Sequence, residues 1–163
     1  MKLKNIILSL FLAFTFSTTQ AQLNVGDIAP EIKLPDSLGK WKPLSEVKAK
    51  IILLDFWAAW CYPCVQSMPD LISIYENYHK KGLEVYAVSL DKDYYNWVAM
   101  CRKLNLPFVL VNDAYGMNGK TCKQYHIESI PNKLLIKDGK IFAINKSLYD
   151  INKILEKELE SEN

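Results

Sequence analysis

A chain of 163 residues, half of them hydrophobic and 23% charged, has the length and composition of a single globular domain. The first 21 residues contain two lysines and no acid, so the remainder has a formal charge of zero, against +2 for the whole chain. A domain without basic excess lacks the electrostatic footprint of nucleic-acid-binding proteins, and we expect no nucleic acid partner.

The N-terminus has the features of a secretory signal. Two lysines precede an apolar run over residues 6–16, and a small-x-small site ends at Ala21. The run is shorter than the roughly 20 residues that span a bilayer, which disfavours a membrane anchor. We therefore predict a signal peptide over residues 1–21, a single domain over residues 22–163 and a periplasmic location, with a membrane tether if the signal stays uncleaved.

The predicted elements alternate between strand and helix. Residues 22–50 carry Gly and Pro turn signals and predict an N-terminal β-hairpin extension. Residues 51–57, apolar on both faces except for Asp55, predict a central strand, and apolar residues at helical spacing predict a helix from Cys61 to about His79. The later predicted elements are a strand over 83–90, a helix capped by Asp91 or Asp93 and ending near Leu104, a strand over 108–111, a helix over 117–126, a hairpin over 132–144 and a helix capped by Ser147. This order predicts an α/β fold with a central mixed β-sheet flanked by helices.

The sequence Trp60-Cys61-Tyr62-Pro63-Cys64 lies between the central strand and the following helix. A disulfide within one helical turn closes a loop too small to stabilise a fold appreciably, so we expect this pair to serve chemistry. Amide groups at a helix N-terminus stabilise a thiolate, which is the nucleophile in disulfide exchange. We predict that Cys61 is exposed and attacks, and that Cys64 is covered and resolves the mixed disulfide.

Three alternatives to a redox pair stay open. Cys61 and Cys64 could be half of a zinc site, although Cys101 and Cys122 lack the spacing of a second ligand pair. A binding module could hold a client peptide or Cu(I) at these thiols without turnover. A peroxidase would have Thr in a Thr-x-x-Cys pattern, whereas position 58 holds Ala. We predict a redox disulfide between Cys61 and Cys64, no metal and no cofactor.

Three segments resemble the motifs of thioredoxins: the run from Leu54 to Cys64, the helix proline Pro69, and the loop Ser129-Ile130-Pro131-Asn132. With the signal, the hairpin and the extra material around residues 92–127, the chain resembles the exported TlpA/ResA branch of that family over most of residues 23–160. The resemblance implies a thioredoxin fold and thiol–disulfide oxidoreductase activity. It also implies client proteins that carry thiols or disulfides and a membrane donor of electrons, and we expect a monomer.

The resemblance further implies that the Ile130–Pro131 bond is cis and faces the two sulfurs, where the Ile130 backbone could pair with an extended substrate. A trans proline opening an edge strand is the alternative. Together with Trp60, Tyr62 and Pro63 around the cysteines, Ile130 and Pro131 make up the predicted substrate-binding residues.

Two positions depart from the exported branch. That branch commonly has an acid where this chain has Ser67, and often has Asn where this chain has Asp55, the residue type of cytoplasmic thioredoxins. A buried Asp55 could take the proton of Cys64 and return it, whereas an acid exposed at the strand end would have no such role. The lysine that faces this acid in thioredoxins corresponds to Ala87. We therefore expect Asp55 to have no charged partner and a raised pKa, and Asp55→Asn to stabilise the fold at neutral pH.

Cys101 and Cys122 lie on different predicted helices, each on a mainly apolar face. Buried free thiols are one interpretation. A structural disulfide is another, provided that the two Cα atoms come within about 7 Å of each other. A second redox role is the third.

Overall fold

The computed structural model describes residues 22–160, and the predicted signal peptide at residues 1–21 lies outside the described residues. The strands are β1 Lys33–Pro35, β2 Trp41–Pro43, β3 Ile51–Trp57, β4 Leu83–Ser89, β5 Val109–Asn112, β6 Asn132–Lys137 and β7 Lys140–Ile144. The helices are α1 Tyr62–Tyr78, α2 Tyr94–Leu104, α3 Lys120–Tyr125 and α4 Leu148–Glu160. Across residues 22–160, none of the helices has the length and apolar character needed to cross a membrane.

Five strands form the central sheet in the order β5-β4-β3-β6-β7. Strand β3 pairs in parallel with β4 and antiparallel with β6, so the predicted mixed sheet is confirmed. All seven residues of β3 are buried, which explains the continuous apolar run that marked it as a central strand. The last pair, β6 and β7, is the predicted hairpin with its turn at Asp138-Gly139.

The two faces of the sheet pack against different elements. Alternate residues of β3, among them Leu53 and Trp57, contact a core cluster that also contains buried residues of α1, α2 and α4. The residues between them, such as Leu54 and Phe56, contact a second cluster that includes α3 and the N-terminal extension. Helices therefore cover both faces, as predicted.

Local rules explain where the helices begin. The Asp93 carboxylate accepts the Tyr95 and Asn96 amides at 2.9 and 3.1 Å and caps α2, and the Ser147 hydroxyl accepts the Asp150 amide at 3.1 Å at the start of α4. Both caps were predicted, Asp93 as one of two candidates.

The predicted helix over 117–126 is interrupted at Gly119. A 3-10 turn over Gly116–Asn118 comes first, Gly119 is extended, and α3 begins at Lys120. The Asp113 carboxylate packs directly on this glycine, and a Cβ there would lie 2.3 Å from the Asp113 Oδ2 atom. This close approach explains why position 119 holds a residue without a Cβ. The apolar spacing did not reveal the break in the helix.

The predicted N-terminal hairpin is present as β1 and β2, which pair antiparallel. Two buried tyrosines attach this extension to the domain. The Tyr86 hydroxyl donates to the Lys42 carbonyl at 2.6 Å, and the Tyr125 hydroxyl donates to the Pro30 carbonyl at 2.5 Å. The extension therefore covers the face of the sheet opposite α1.

Candidate active site

The two cysteines of the predicted redox pair lie at the N-terminus of α1. Cys61 is the residue before the first helical turn, Cys64 is inside that turn, and their sulfurs form a disulfide of 2.09 Å. The Cys64 amide donates to the Cys61 sulfur at 3.3 Å. Pro63 occupies the first turn, where a missing N–H costs nothing because the first amides of a helix have no helical partner.

The exposure of Cys61 differs from the prediction, whereas that of Cys64 agrees with it. Cys61 is 5% exposed and Cys64 is 1% exposed, so the expectation of a freely exposed Cys61 is wrong for the disulfide form. Cys61 belongs to the core cluster that also contains Trp57, Cys64 and Met68. The residues on either side of Cys61 in the sequence, Trp60 and Tyr62, are 62% and 72% exposed.

The loop before β6 lies next to the same end of α1. The Ile130–Pro131 bond is cis, as predicted from the resemblance. Ile130 is half-buried and contacts both core clusters, whereas Pro131 is exposed. Pro131 shares the wall of a cavity of about 480 Å³ with Ser67, which is one turn beyond Cys64 on α1.

Asp55 is fully buried, which confirms the prediction of a buried carboxylate and excludes an acid exposed at the strand end. Its neighbour on β4 is Ala87, as predicted, but its neighbour on β6 is Lys133. The Lys133 Nζ atom lies 3.0 Å from the Asp55 Oδ1 atom, and the two side chains are 7% and 1% exposed. The expectation that Asp55 has no charged partner is therefore wrong, because the lysine comes from the antiparallel neighbour instead of the parallel one.

The ion pair does not fully compensate the burial of the carboxylate. Among the described residues, neither Asp55 oxygen has a well-aligned hydrogen bond, so the contact with Lys133 is mainly electrostatic. Burial raises the pKa of Asp55 above its ordinary value of 3.8, and the positive charge of Lys133 opposes part of that rise. Asp55 thus favours its protonated form more than an exposed aspartate does.

A second buried carboxylate, which sequence reasoning considered only as a possible helix cap, fixes the loop before Cys61. The Asp91 Oδ2 atom accepts the Ala59 amide and the Ser89 hydroxyl, each at 2.8 Å. The Asn112 side-chain amide donates to the Ser89 hydroxyl at 3.0 Å and to the Asp91 carbonyl at 2.9 Å. These hydrogen bonds connect strands β4 and β5 to the active-site loop. The sequence feature that could have predicted this role is the polar pair Ser89 and Asp91 at the end of a buried strand.

Residues 25–144 match the AhpC/TSA family. The thiol-disulfide oxidoreductase ResA of Geobacillus thermodenitrificans is 30% identical over 150 residues, which are 87% of this chain and 84% of that protein. ResA of Bacillus thuringiensis is 31% identical over 127 residues, which are 77% of this chain and 72% of that protein.

The chain belongs to the AhpC/TSA family.

Solved structures of thiol-disulfide oxidoreductases confirm the thioredoxin fold. The thioredoxin domain of a thiol-disulfide oxidoreductase from Bacteroides vulgatus is 28% identical, with a TM-score of 0.78 over 85% of this chain and 99% of that one. A thiol-disulfide oxidoreductase from Bacteroides fragilis is 30% identical, with a TM-score of 0.75 over 80% of this chain and 98% of that one. This member of the AhpC/TSA family is a thiol–disulfide oxidoreductase, and the Cys61–Cys64 disulfide is the site that can perform such a reaction.

The two remaining cysteines of this AhpC/TSA protein are free and buried. Cys101 belongs to the core cluster under α1, and Cys122 belongs to the cluster on the opposite face of the sheet. A disulfide between them is excluded because the sheet separates the two thiols. Burial raises the pKa of Cys101 to about 12 and that of Cys122 to about 11, which also leaves little thiolate for redox chemistry. Within residues 22–160, His, Cys, Asp and Glu side chains form no cluster able to hold a metal ion.

Proposed function

We propose that this oxidoreductase reduces disulfides of client proteins outside the cytoplasm, with Cys61 as the attacking thiol and Cys64 as the resolving thiol. The observation that carries the proposal is the place of Cys61 at the N-terminus of α1, where its sulfur accepts the Cys64 amide at 3.3 Å. After reduction, that amide and the helix dipole would stabilise the Cys61 sulfur as a thiolate.

In the first step the Cys61 thiolate attacks one sulfur of the client disulfide. A bond forms between Cys61 and the client, the client's own S–S bond breaks, and its second sulfur leaves as a thiolate that takes a proton from solvent. The exposed side chains of Trp60, Tyr62 and Pro63 would border this intermediate. The backbone at Ile130–Pro131, beside the first turns of α1, would align the client chain.

In the second step Cys64 loses its proton and attacks the Cys61 sulfur. Asp55 lies on the face of β3 that packs against α1, and its carboxylate would take this proton directly or through a water. The Cys61–Cys64 bond forms, the bond between Cys61 and the client breaks, and the client sulfur leaves as a thiolate that takes the proton held by Asp55. Over both steps the client gains two electrons and two protons. In rapid-mixing experiments Asp55→Asn should therefore slow the second step more than the first attack.

Each cycle leaves the Cys61–Cys64 pair oxidised, so a second dithiol must return two electrons to it. We assign this part to a membrane donor that faces the same compartment, as the resemblance to the exported branch implies. The signal-like composition of residues 1–21 supports delivery to the periplasm, where the protein would act as a monomer.

The reduction potential of the Cys61–Cys64 couple tests the direction of the reaction. The protein would be equilibrated in dithiothreitol and glutathione buffers, and the reduced fraction measured by alkylation and mass spectrometry. A potential near that of thioredoxin, about −270 mV, supports a reductase, whereas a value near that of DsbA, about −120 mV, would make the protein an oxidant. Cys64→Ser serves as the control that has no couple to titrate.

A further inference from the structure

A groove of about 710 Å³ opens beside the redox disulfide, on the side of Trp60 that faces α2. We call it the Trp60 groove. Its walls come from the active-site loop, the β4–α2 connection, α2 and the 3-10 turn over Gly116–Asn118. Because Trp60 directly precedes Cys61, the groove is continuous with the surface where a disulfide must be presented to the sulfur.

The floor of the Trp60 groove is apolar, and the loop that carries Trp60 is fixed by a hydrogen bond. Leu90, Met100 and Met117 line it, with Trp60 as the exposed wall. The hydrogen bond from the Ala59 amide to the buried Asp91 carboxylate fixes the loop that carries this wall. The groove is therefore formed before any ligand arrives, as expected of a binding site.

The lysines around the groove are available to a ligand, whereas the aspartates are engaged in hydrogen bonds within the protein. Asp91 is buried on the Ala59 amide, and Asp93 caps α2, where the helix dipole offsets its charge. Lys92 and Lys103 also line the groove, both are exposed, and neither forms an ion pair with any of the residues 22–160. An occupant therefore meets an apolar floor and two ammonium groups at its edge.

We propose that the Trp60 groove binds an extended segment of the client chain that flanks the disulfide, with an apolar side chain on the floor and acidic side chains beside Lys92 and Lys103. The proposal rests on the proposed reduction of client disulfides and adds the sequence preference of that reaction. Opposite charges at such a surface raise the rate of encounter and select partners.

Two other occupants fit the charges less well. A second copy placed by two-fold symmetry would bring the lysines of one groove against the same lysines of its partner. Residues 1–21 of the chain carry two lysines and no acid, so this segment would also meet like charge. A client segment with acidic residues has no such conflict.

The experiment compares two cystine-containing peptides that share a leucine next to the disulfide and differ only in flanking glutamates or lysines. Reduced full-length protein should reduce the acidic peptide about tenfold faster at low ionic strength, and most of that advantage should vanish at about 0.5 M salt. The double variant Lys92→Glu/Lys103→Glu should reverse the preference. Lys92→Glu or Lys103→Glu alone should weaken the preference. The matched control for these single variants is Lys48→Glu, an exposed lysine shortly before the first residue of β3, which should leave the preference unchanged.

The neutral 2-hydroxyethyl disulfide separates failure of this proposal from failure of the proposed function. Wild-type protein that reduces it, yet reduces both peptides equally, overturns the docking proposal alone. Wild-type protein that reduces neither the peptides nor this small disulfide overturns the reductase itself. A dimer that Lys103→Glu dissociates, or inhibition of peptide reduction by a synthetic peptide of residues 1–21, would assign the groove to one of the other occupants and equally overturn the proposal.

Discussion

At the scale of single residues, the first turn of α1 makes two chemically identical side chains different. Cys61 lies before the turn with an amide aimed at its sulfur, and Cys64 lies within it at 1% exposure. We predict that, after reduction, iodoacetamide alkylates Cys61 at least about tenfold faster than any other cysteine, because its thiolate is the stabilised one. Peptide mapping by mass spectrometry measures the four rates in one sample.

The same assignment predicts which variant accumulates the intermediate. Cys64→Ser should trap mixed disulfides with client peptides, whereas Cys61→Ser should trap none. Faster alkylation of Cys64 or Cys101 than of Cys61 would contradict the assignment of attacking and resolving roles.

The Asp55–Lys133 pair predicts a strong coupling between two buried charges. Asp55→Asn leaves the Lys133 ammonium buried without its partner, and Lys133→Met leaves the Asp55 carboxylate buried without its partner. Each variant should therefore lower the free energy of unfolding by about 3–5 kcal/mol. This replaces the expectation that Asp55→Asn stabilises the fold. The double variant Asp55→Asn/Lys133→Met removes both charges and should recover most of the loss. Denaturant unfolding of the four proteins measures the coupling, and simple additivity of the two single losses would show that the pair is not energetically coupled.

The raised pKa of Asp55 predicts a particular dependence of stability on pH. The folded state holds this proton more tightly than the unfolded chain, whose pKa is about 3.9, so the contribution to stability is complete below that value. It is lost progressively as pH climbs through the folded pKa. The stability of wild type relative to Asp55→Asn should therefore be greater at pH 5 than at pH 8, as measured by denaturant unfolding. An equal difference at both pH values would contradict the raised pKa.

At the scale of elements, the Asp91 carboxylate predicts a link between strand β4 and the loop that leads into α1. Asp91→Ala would leave the Ala59 amide and the Ser89 hydroxyl without their acceptor and should cost about 2–3 kcal/mol of unfolding free energy. Asp91→Asn keeps one carbonyl oxygen and should cost less. Hydrogen exchange at the Ala59 amide gives the local readout. Exchange as slow in Asp91→Ala as in wild type would show that the carboxylate does not hold this loop.

The helix ends and the charged pair show where prediction from sequence succeeds and where it does not. Asp93 and Ser147 cap helices through amides two or three residues away, so a local rule finds them. Lys133 contacts Asp55 because β6 pairs antiparallel with β3. The register between strands that are distant in sequence cannot be predicted from local residue spacing. A usable signal existed nonetheless: Lys133 alternates with Leu135 on a buried strand, where an isolated lysine requires a partner.

The same contrast applies to the site as a whole. The Trp60–Cys64 motif and the Ile130–Pro131 loop were found from the sequence because each is a contiguous pattern. The Asp91 network was missed because three segments supply its atoms, at residues 59, 89–91 and 112. Groups assembled from several elements become visible only once the sheet order is known.

At the scale of the whole molecule, the sheet places Cys101 and Cys122 in different core clusters. We predict that Cys101→Ala/Cys122→Ala retains disulfide reduction within about twofold of wild type, because neither thiol takes part in the cycle. Any change in melting temperature should be the same under oxidising and reducing conditions, because no disulfide between these residues exists to be broken. Calorimetry in both conditions and a peptide reduction assay measure these quantities. A fall in melting temperature confined to oxidising conditions would contradict the separation of the two thiols.

This separation has a consequence for how the chain matures. If the chain is delivered to an oxidising compartment, as proposed above, its four thiols can form non-native disulfides before the strands have assembled. Each of these must then be exchanged by thiolate attack. Once β3, β4 and β6 pair, Cys101 and Cys122 are buried on opposite faces of the sheet. Their raised pKa values leave little thiolate, so neither takes further part in disulfide exchange. Cys61 and Cys64, three positions apart, are left with only each other. Assembly of the sheet thus restricts disulfide formation within the chain to the Cys61–Cys64 pair.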